Sequence, residues 1–453
     1  MPYQFLRRND EGYHPPKDVN RLANWSSRPS LGEPPLSTDV LKITSWQPNR
    51  DSIEGDLPPS KSHLIRWLLL AAQGPVGKEC RIEGVENAGE DVLAMRRAME
   101  KLGVQIFDQK DVWIVVGVGT DGFQVPATIL HCENSATAMR LLTIAVSRLG
   151  EAVMIDGDAS LRNRGVPAYF ESLASIGIDV SHGIDEETLP ILVKGPATPG
   201  TMQLDVGRTS QHLSALLLSM PSMKGPIVLE IGNELVSRRH AELSFSLATL
   251  CGSSNSITNH TLEPFECLPP SVVIIPKDAS HVAFTRLLET LHGIEVTLPE
   301  IDPADAIGAE LLAGLDLAES CHVNLIDAND LITPLAAAMA ISGGGQITGA
   351  GHARHKESNR ISKTVELLQS FGIIVQESED GLHIKGGQVP HSPSGIVSTH
   401  GDHRLQMTAI ILATKVGASI EGSNLHKVSD PTFVNRLIEA GVQIESKRVR
   451  NQP

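Results

Sequence analysis

The chain has 453 residues, 41% of them hydrophobic and 20% charged, enough to bury a sizeable core in more than one domain. Its formal net charge of -15 at pH 7 and its 4% aromatic content argue against a nucleic-acid surface, which needs basic patches and stacking rings. Cys80, Cys132, Cys251, Cys267 and Cys321 are scattered without a C-x-x-C pair, which suggests reduced thiols and neither a disulfide framework nor a zinc site.

Residues 1–40 read as a Pro-rich, charged extension outside the packed core. The stretch "NDEGYHPPKDVN" is polar where a secretory signal is apolar and carries acids that a transit peptide avoids. No apolar run reaches the length of a membrane span, so a cytoplasmic location is expected.

From there an amphipathic helix, a glycine and an alternating strand recur, at Gly103, Gly177, Gly293, Gly372 and Gly441, with a weaker copy at Gly252. The spacing is similar except for one short step between Gly252 and Gly293. Repeated supersecondary units of this kind predict two similar α/β domains joined near residue 275.

Several predicted helices begin with hydroxyl, amide or charged residues: "PPSKSHLIR" (58–66), "NSATAMR" (134–140), "TSQ" (209–211) and "GDHRLQM" (401–407). Each is a good capping sequence alone, with Ser60 to Ser62, Asn134, Thr209 to Gln211 and Asp402 at the starts. Together they suggest converging anion sites, because helix N-termini present free N–H groups and a positive dipole end. A fifth start is "RHKESNR" (354–360), whose helix is predicted from Glu357 and would place Arg354 and Lys356 at its positive end. Such cations call for negative compensation, for which anionic ligands are the expected source. No P-loop or dinucleotide fingerprint follows a strand, so no cofactor is expected and phosphorylated or carboxylated small molecules remain.

These motifs, with "GDASLRNR" (157–164), "DANDLITPLAAA" (327–338) and "HARHKESNR" (352–360), resemble the 5-enolpyruvylshikimate 3-phosphate synthase family over residues 41 to 445. The resemblance implies an α/β fold of two similar domains, each of three β-α-β-α-β-β repeats, with the active site in the cleft between them. It places residues 41–58 with 276–453 in a discontinuous first domain and 59–275 in an inserted second one. It also implies transfer of the enolpyruvyl group of phosphoenolpyruvate to the 5-hydroxyl of shikimate 3-phosphate, by a protein expected to be monomeric.

Carried over by motif position, Lys61, Asp330 and Glu357 would be catalytic, Asp330 as base and Glu357 as proton-transfer partner near the methylene carbon. Ser62, Arg66, Thr209, Ser210, Gln211, Ser237 and Lys356 would hold shikimate 3-phosphate. Lys61, Arg140, Arg164, Gln211, Arg360 and Arg404 would hold phosphoenolpyruvate. Three rivals stay open: Asp327 for Asp330, one of the two capping the helix near Pro334; Arg162 for Arg164; and Lys427, one residue out of register with a family lysine.

The chain departs from the family at Pro59, Ile65, Ser135, Ala136, Gly165, Val166, Asn359 and Gln406. The cations and acid–base candidates are intact. The alternatives are a paralogous transferase acting on another phosphorylated acceptor and a non-catalytic anion-binding homologue.

Overall fold

Buried apolar side chains sort into two cores. One draws on residues from Leu64 to Ile275, the other on Leu41 to Leu57 and Val282 to Val442. The computed structural model describes residues 37–450 except 165–166, 183–187 and 302–307. Residues 39–447 form one compact unit, and the described ends of the remainder, 37–38 and 448–450, continue two strands. The predicted extension lies outside the described residues up to residue 36, as do Gly165 and Val166. Its last residues, 37–40, belong instead to the strand Ser37–Ile43, with Val40 buried and paired to Glu421, because that strand completes a sheet against the second core.

Within residues 39–447 the chain passes between the two lobes twice, side by side. Ser60 N–H donates to the Pro276 carbonyl and Asp278 N–H to the Pro58 carbonyl, both at 2.8 Å. Pro59 bridges antiparallel to Lys277 in this crossing, where its missing donor leaves the flanking bonds untouched.

Each lobe has three inner helices, Lys61–Ala72, Ala136–Ala145 and Gln211–Ser219 in one, Val282–His292, Ile332–Ile341 and His403–Val416 in the other. Lys61–Ala72 and Ile332–Ile341 are buried almost all round, as their runs of Leu, Ile and Ala dictate. Outer helices such as Glu90–Lys101 bury only a stripe, here Val92, Met95 and Met99. Ile65, an unusual residue for the family, is fully buried in the first core. Among the described residues no helix is long and apolar enough to cross a membrane.

Three small sheets flank each set of helices, and each contains a parallel pair. In Val272–Ile274, Glu79–Glu83, Val112–Val116 and Gln105–Gln109, a parallel first pair continues into two antiparallel ones. The same order recurs in the sheets beginning with Leu130–His131 and Cys321–Asn324. The repeat expected from the glycines is thus present, with one correction to its register. Gly103, Gly177, Gly252, Gly372 and Gly441 follow the second helix of their units, whereas Gly293 closes the first helix of its own, Val282–His292. That difference produces the short step. All six glycines have positive φ, from 67° to 102°, the conformation that ends these helices. The weak copy at Gly252 is weak because no strand follows until Thr261–Leu262.

Candidate active site

Five helix starts meet at one cavity of about 620 Å³: Lys61, Ala136, Gln211, Arg360 and the His403–Arg404 pair all line it. Ser60 caps the first helix by accepting from His63 N–H, and Asp402 caps the last by accepting from Arg404 N–H at 2.9 Å. Two expected starts shift by a few residues. Ser135, not Asn134, caps Ala136–Ala145, through Ala138 N–H. The "RHKESNR" helix begins at Arg360 with Asn359 as cap, and Gly351–His355 is a separate 3-10 turn.

That second shift changes the charge argument. Arg354 points to Glu377, 2.6 Å away, and to the carbonyls of Ser378 and Glu379. Arg360 is 1% exposed and meets three carboxylates: Asp402 at 2.8 Å through Nε, Asp330 at 2.6 Å through Nη1, and Glu357 through Nη2. Of the two cations for which anionic ligands are expected, Arg354 is compensated by the protein itself, as Arg360 is, while Lys356 lines the cavity. Burial disfavours the Arg360 charge, but Asp402, Glu357 and Asp330 outweigh it and raise its pKa.

Every catalytic and substrate-binding residue expected from the motifs lines this cavity: Lys61, Ser62, Arg66, Arg140, Arg164, Thr209, Ser210, Gln211, Ser237, Asp330, Lys356, Glu357, Arg360 and Arg404. The three rivals do not. Arg162 pairs with Asp156 at 2.5 Å on the surface, and Lys427 sits exposed in the turn Leu425–Val428. Asp327 accepts from Arg238 N–H at 2.6 Å, so it caps the helix Arg238–Leu250 instead of the one near Pro334.

The charges are arranged unevenly. Arg66 is held by the Ser244 hydroxyl at 2.7 Å and by the carbonyls of Ser62 and His240. Arg164 donates to Asn134 and Ser160 at 2.9 and 3.0 Å, and lies 3.4 Å from Glu357 across the cleft. Arg404 reaches Asp330 at 3.3 Å and the Ser280 hydroxyl at 2.9 Å. Arg140 donates to Gln211 and has no carboxylate within ion-pair distance among the described residues. Burial and then Arg164 lower its pKa to about 10, so it stays charged at neutral pH. A buried guanidinium of this kind favours an anion beside it.

The two acid–base candidates are ionised. Burial pushes the Asp330 carboxyl up, but Arg404, Arg360 and Lys356 overcome this and hold it well below the ordinary range. Burial likewise opposes, and Arg360 and Arg164 enforce, the charge on Glu357. Lys61 donates to Asp91 Oδ2 at 2.9 Å. Burial would lower the Lys61 pKa, but Asp91, Asp330 and Glu357 raise it. Lys356 is brought down to about 8, chiefly by burial.

Motif reading missed Asp91, Asp402, Ser280, Asn329 and His352 as parts of this framework. Asp402 was visible only as a cap, and Asp91 only as an acid in the first turn of its helix. Of the family departures, Asn359 keeps its capping role through Ser362 N–H at 3.3 Å. Gln406 is buried and binds the carbonyls of Glu421 and Gly422 and the His426 N–H, which ties its helix to the following loop.

The family described as EPSP synthase (3-phosphoshikimate 1-carboxyvinyltransferase) matches residues 49–314 and 310–437. The chain is 30% identical over 428 residues to the 3-phosphoshikimate 1-carboxyvinyltransferase of Bradyrhizobium sp. (strain BTAi1 / ATCC BAA-1182), covering 85% of this chain and 94% of that protein. It is 28% identical over 427 residues to the protein of that name from Methanocorpusculum labreanum, covering 88% and 99%. Among solved structures, EPSP synthase from Acinetobacter baumannii has a TM-score of 0.69 at 24% identity, covering 90% of this chain and 100% of that one. The enolpyruvyl transferase NikO from Streptomyces tendae scores 0.70 at 15% identity, covering 91% and 100%. At those identities the structural likeness is one of fold, a two-domain α/β architecture, and the family assignment comes from the sequence match: the chain belongs to the EPSP synthase family.

Proposed function

We propose that this protein transfers the enolpyruvyl group of phosphoenolpyruvate to the 5-hydroxyl of shikimate 3-phosphate and releases phosphate. The reading is carried by one observation: Arg140, a buried cation without a carboxylate partner among the described residues, shares a cavity with the ionised Asp330 and Glu357. Arg140, Arg164, Arg360 and Arg404 bind the phosphate and carboxylate of the donor in this reading, with Gln211 between the two substrates. Thr209, Ser210 and Ser237 hold the phosphate side of the acceptor, and Ser62, Arg66 and Lys356 complete its site.

The hydroxyl oxygen attacks C2 of phosphoenolpyruvate while Asp330 takes its proton, and the Lys61 ammonium gives a proton to the methylene carbon, with the Glu357 carboxylate beside it to offset charge and relay the proton. In the tetrahedral adduct the C–O bond to phosphate then breaks. A methyl proton returns to Lys61, the double bond re-forms, and the original hydroxyl proton passes from Asp330 to the leaving phosphate. Cations that lower the Asp330 pKa also make it a weak base. The incoming donor anion offsets them, so base strength rises when both substrates are present. We place the protein in the cytoplasm as a monomer, with residues 59–275 inserted into a domain formed by 41–58 and 276–453.

The test is phosphate release from phosphoenolpyruvate with shikimate 3-phosphate as acceptor, with Asp330→Ala as control. Turnover that the substitution abolishes is expected. A wild-type chain that binds phosphoenolpyruvate and releases no phosphate with this acceptor overturns the assignment.

A further inference from the structure

The turn at Ser237 belongs to one lobe and residues 326–330 to the other, yet they are bonded backbone to backbone. Ser237 N–H donates to the Ile326 carbonyl at 2.9 Å, and Arg238 N–H donates to Asp327 Oδ1 at 2.6 Å. The Asn329 side-chain amide lies 3.3 Å from Ser237 Oγ and 2.7 Å from His352 Nε2. Ser237 itself sits in the left-handed region, at φ 50° and ψ 43°, which a residue with a Cβ adopts only when its surroundings hold it there.

A serine preceding a helix ordinarily turns its hydroxyl back to cap the first N–H groups. Here it does not, because the carboxylate that caps the helix comes from the opposite lobe. The Ser237 side chain is left to line the cavity. Three residues beyond Asp327, on the same stretch of chain, Asp330 is anchored by Arg360 and Arg404.

We infer that residues 326–330 are a clasp coupling the two lobes: bringing the lobes together lets Ile326 and Asp327 fix the Ser237 turn, so that the acceptor-site hydroxyl and Asp330 are set against each other by one short segment. Asp327 is a positioning residue that acts through Ser237. The inference rests on the roles proposed above for Ser237 and Asp330. It gives a function to a carboxylate that lies beside the cavity without entering it.

The test uses the full chain carrying Asp327→Ala or Asp327→Asn, each with and without Ser237→Ala. Hydrogen exchange of the amides in residues 237–241 is expected to accelerate about fivefold to tenfold in Asp327→Ala, the size of a lost cap. Asp327→Asn, which keeps an accepting oxygen, is expected to restore most of the protection. By calorimetric titration, shikimate 3-phosphate affinity is expected to fall by a similar factor in Asp327→Ala. Adding Asp327→Ala to Ser237→Ala should cost nothing further, since the two share one pathway. Unchanged exchange overturns the clasp, and additive affinity losses overturn its action through Ser237. A wild-type chain that fails to bind shikimate 3-phosphate overturns the functional reading instead, and the exchange rates still decide whether the clasp exists.

Discussion

Lys61 Nζ donates to Asp91 Oδ2 at 2.9 Å, which ties the first residue of one helix to the first turn of its neighbour, both beside the cavity. Asp91 is the largest of the influences that raise the Lys61 pKa against burial. Asp91→Asn therefore lowers that pKa, and the ammonium loses its proton at a lower pH. The expected outcome is a 10- to 100-fold fall in kcat/KM, the worth of a charged hydrogen bond, and, in a Lys356→Arg background that removes the limb near pH 8, an alkaline limb of Lys61 moved toward neutrality. An unmoved limb would show that Lys61 takes no part in it.

Asp330 bonds Arg360 at 2.6 Å and Arg404 at 3.3 Å. Asp330→Ala removes the proposed base and also takes one carboxylate contact from each of two guanidinium groups, leaving Arg360 paired with Asp402 and Glu357. Turnover should fall by about 10²- to 10⁴-fold while phosphoenolpyruvate binds at least as tightly as in the wild type. Calorimetry alongside the phosphate assay separates the two effects. Weaker donor binding would mean that Asp330 orders the arginines more than it neutralises them.

Burial, opposed by Asp330 and reinforced by Arg360, brings Lys356 down to about 8. Below that pH the ammonium is present for its proposed role of binding the acceptor anion, and above it the charge is lost. The kcat/KM for shikimate 3-phosphate should therefore decline as pH rises through about 8. Lys356→Arg should remove this limb, because a guanidinium keeps its proton across the range. A limb that survives in the variant belongs to another group.

Ala136 is the first residue of its helix and lines the cavity. The resemblance implies a glycine at this position, and in the proposed binding mode the added methyl group narrows the site on the donor side. Weak inhibition by glyphosate is expected. Ala136→Gly should strengthen that inhibition by about tenfold, the effect of one methylene-sized group in a fitted pocket. Equal inhibition constants for the two proteins would remove the methyl from the explanation.

Gln406 lies outside the cavity lining, buried, with bonds of 3.0 and 2.8 Å to the Glu421 and Gly422 carbonyls and 2.9 Å from His426 N–H. Gln406→Ala strands these backbone groups and should destabilise the protein by about 1–3 kcal/mol in a denaturant titration. The kcat measured well below the melting temperature should be essentially unchanged. A large loss of kcat would mean that this helix transmits strain to Arg404.

Local chemistry in the chain determined much of this protein. Helix starts, capping serines and the glycines that end helices depend on residues within four positions of one another, so they are legible from sequence alone. The two-lobed α/β repeat and the residues gathered at the cavity follow from that pattern and from the motif resemblance. Packing decided the rest. Nothing near Lys61 announces Asp91, and nothing near Arg360 shows that Asp330 and Asp402 share it with Glu357. Asp327 lies seven residues before Pro334, in a stretch that suggests a cap for the helix expected near there, yet it caps a helix whose first residue is eighty-nine positions away in sequence. Ion pairs and caps of this kind depend on distance in space, and only the folding of two lobes against each other brings those partners within hydrogen-bond reach.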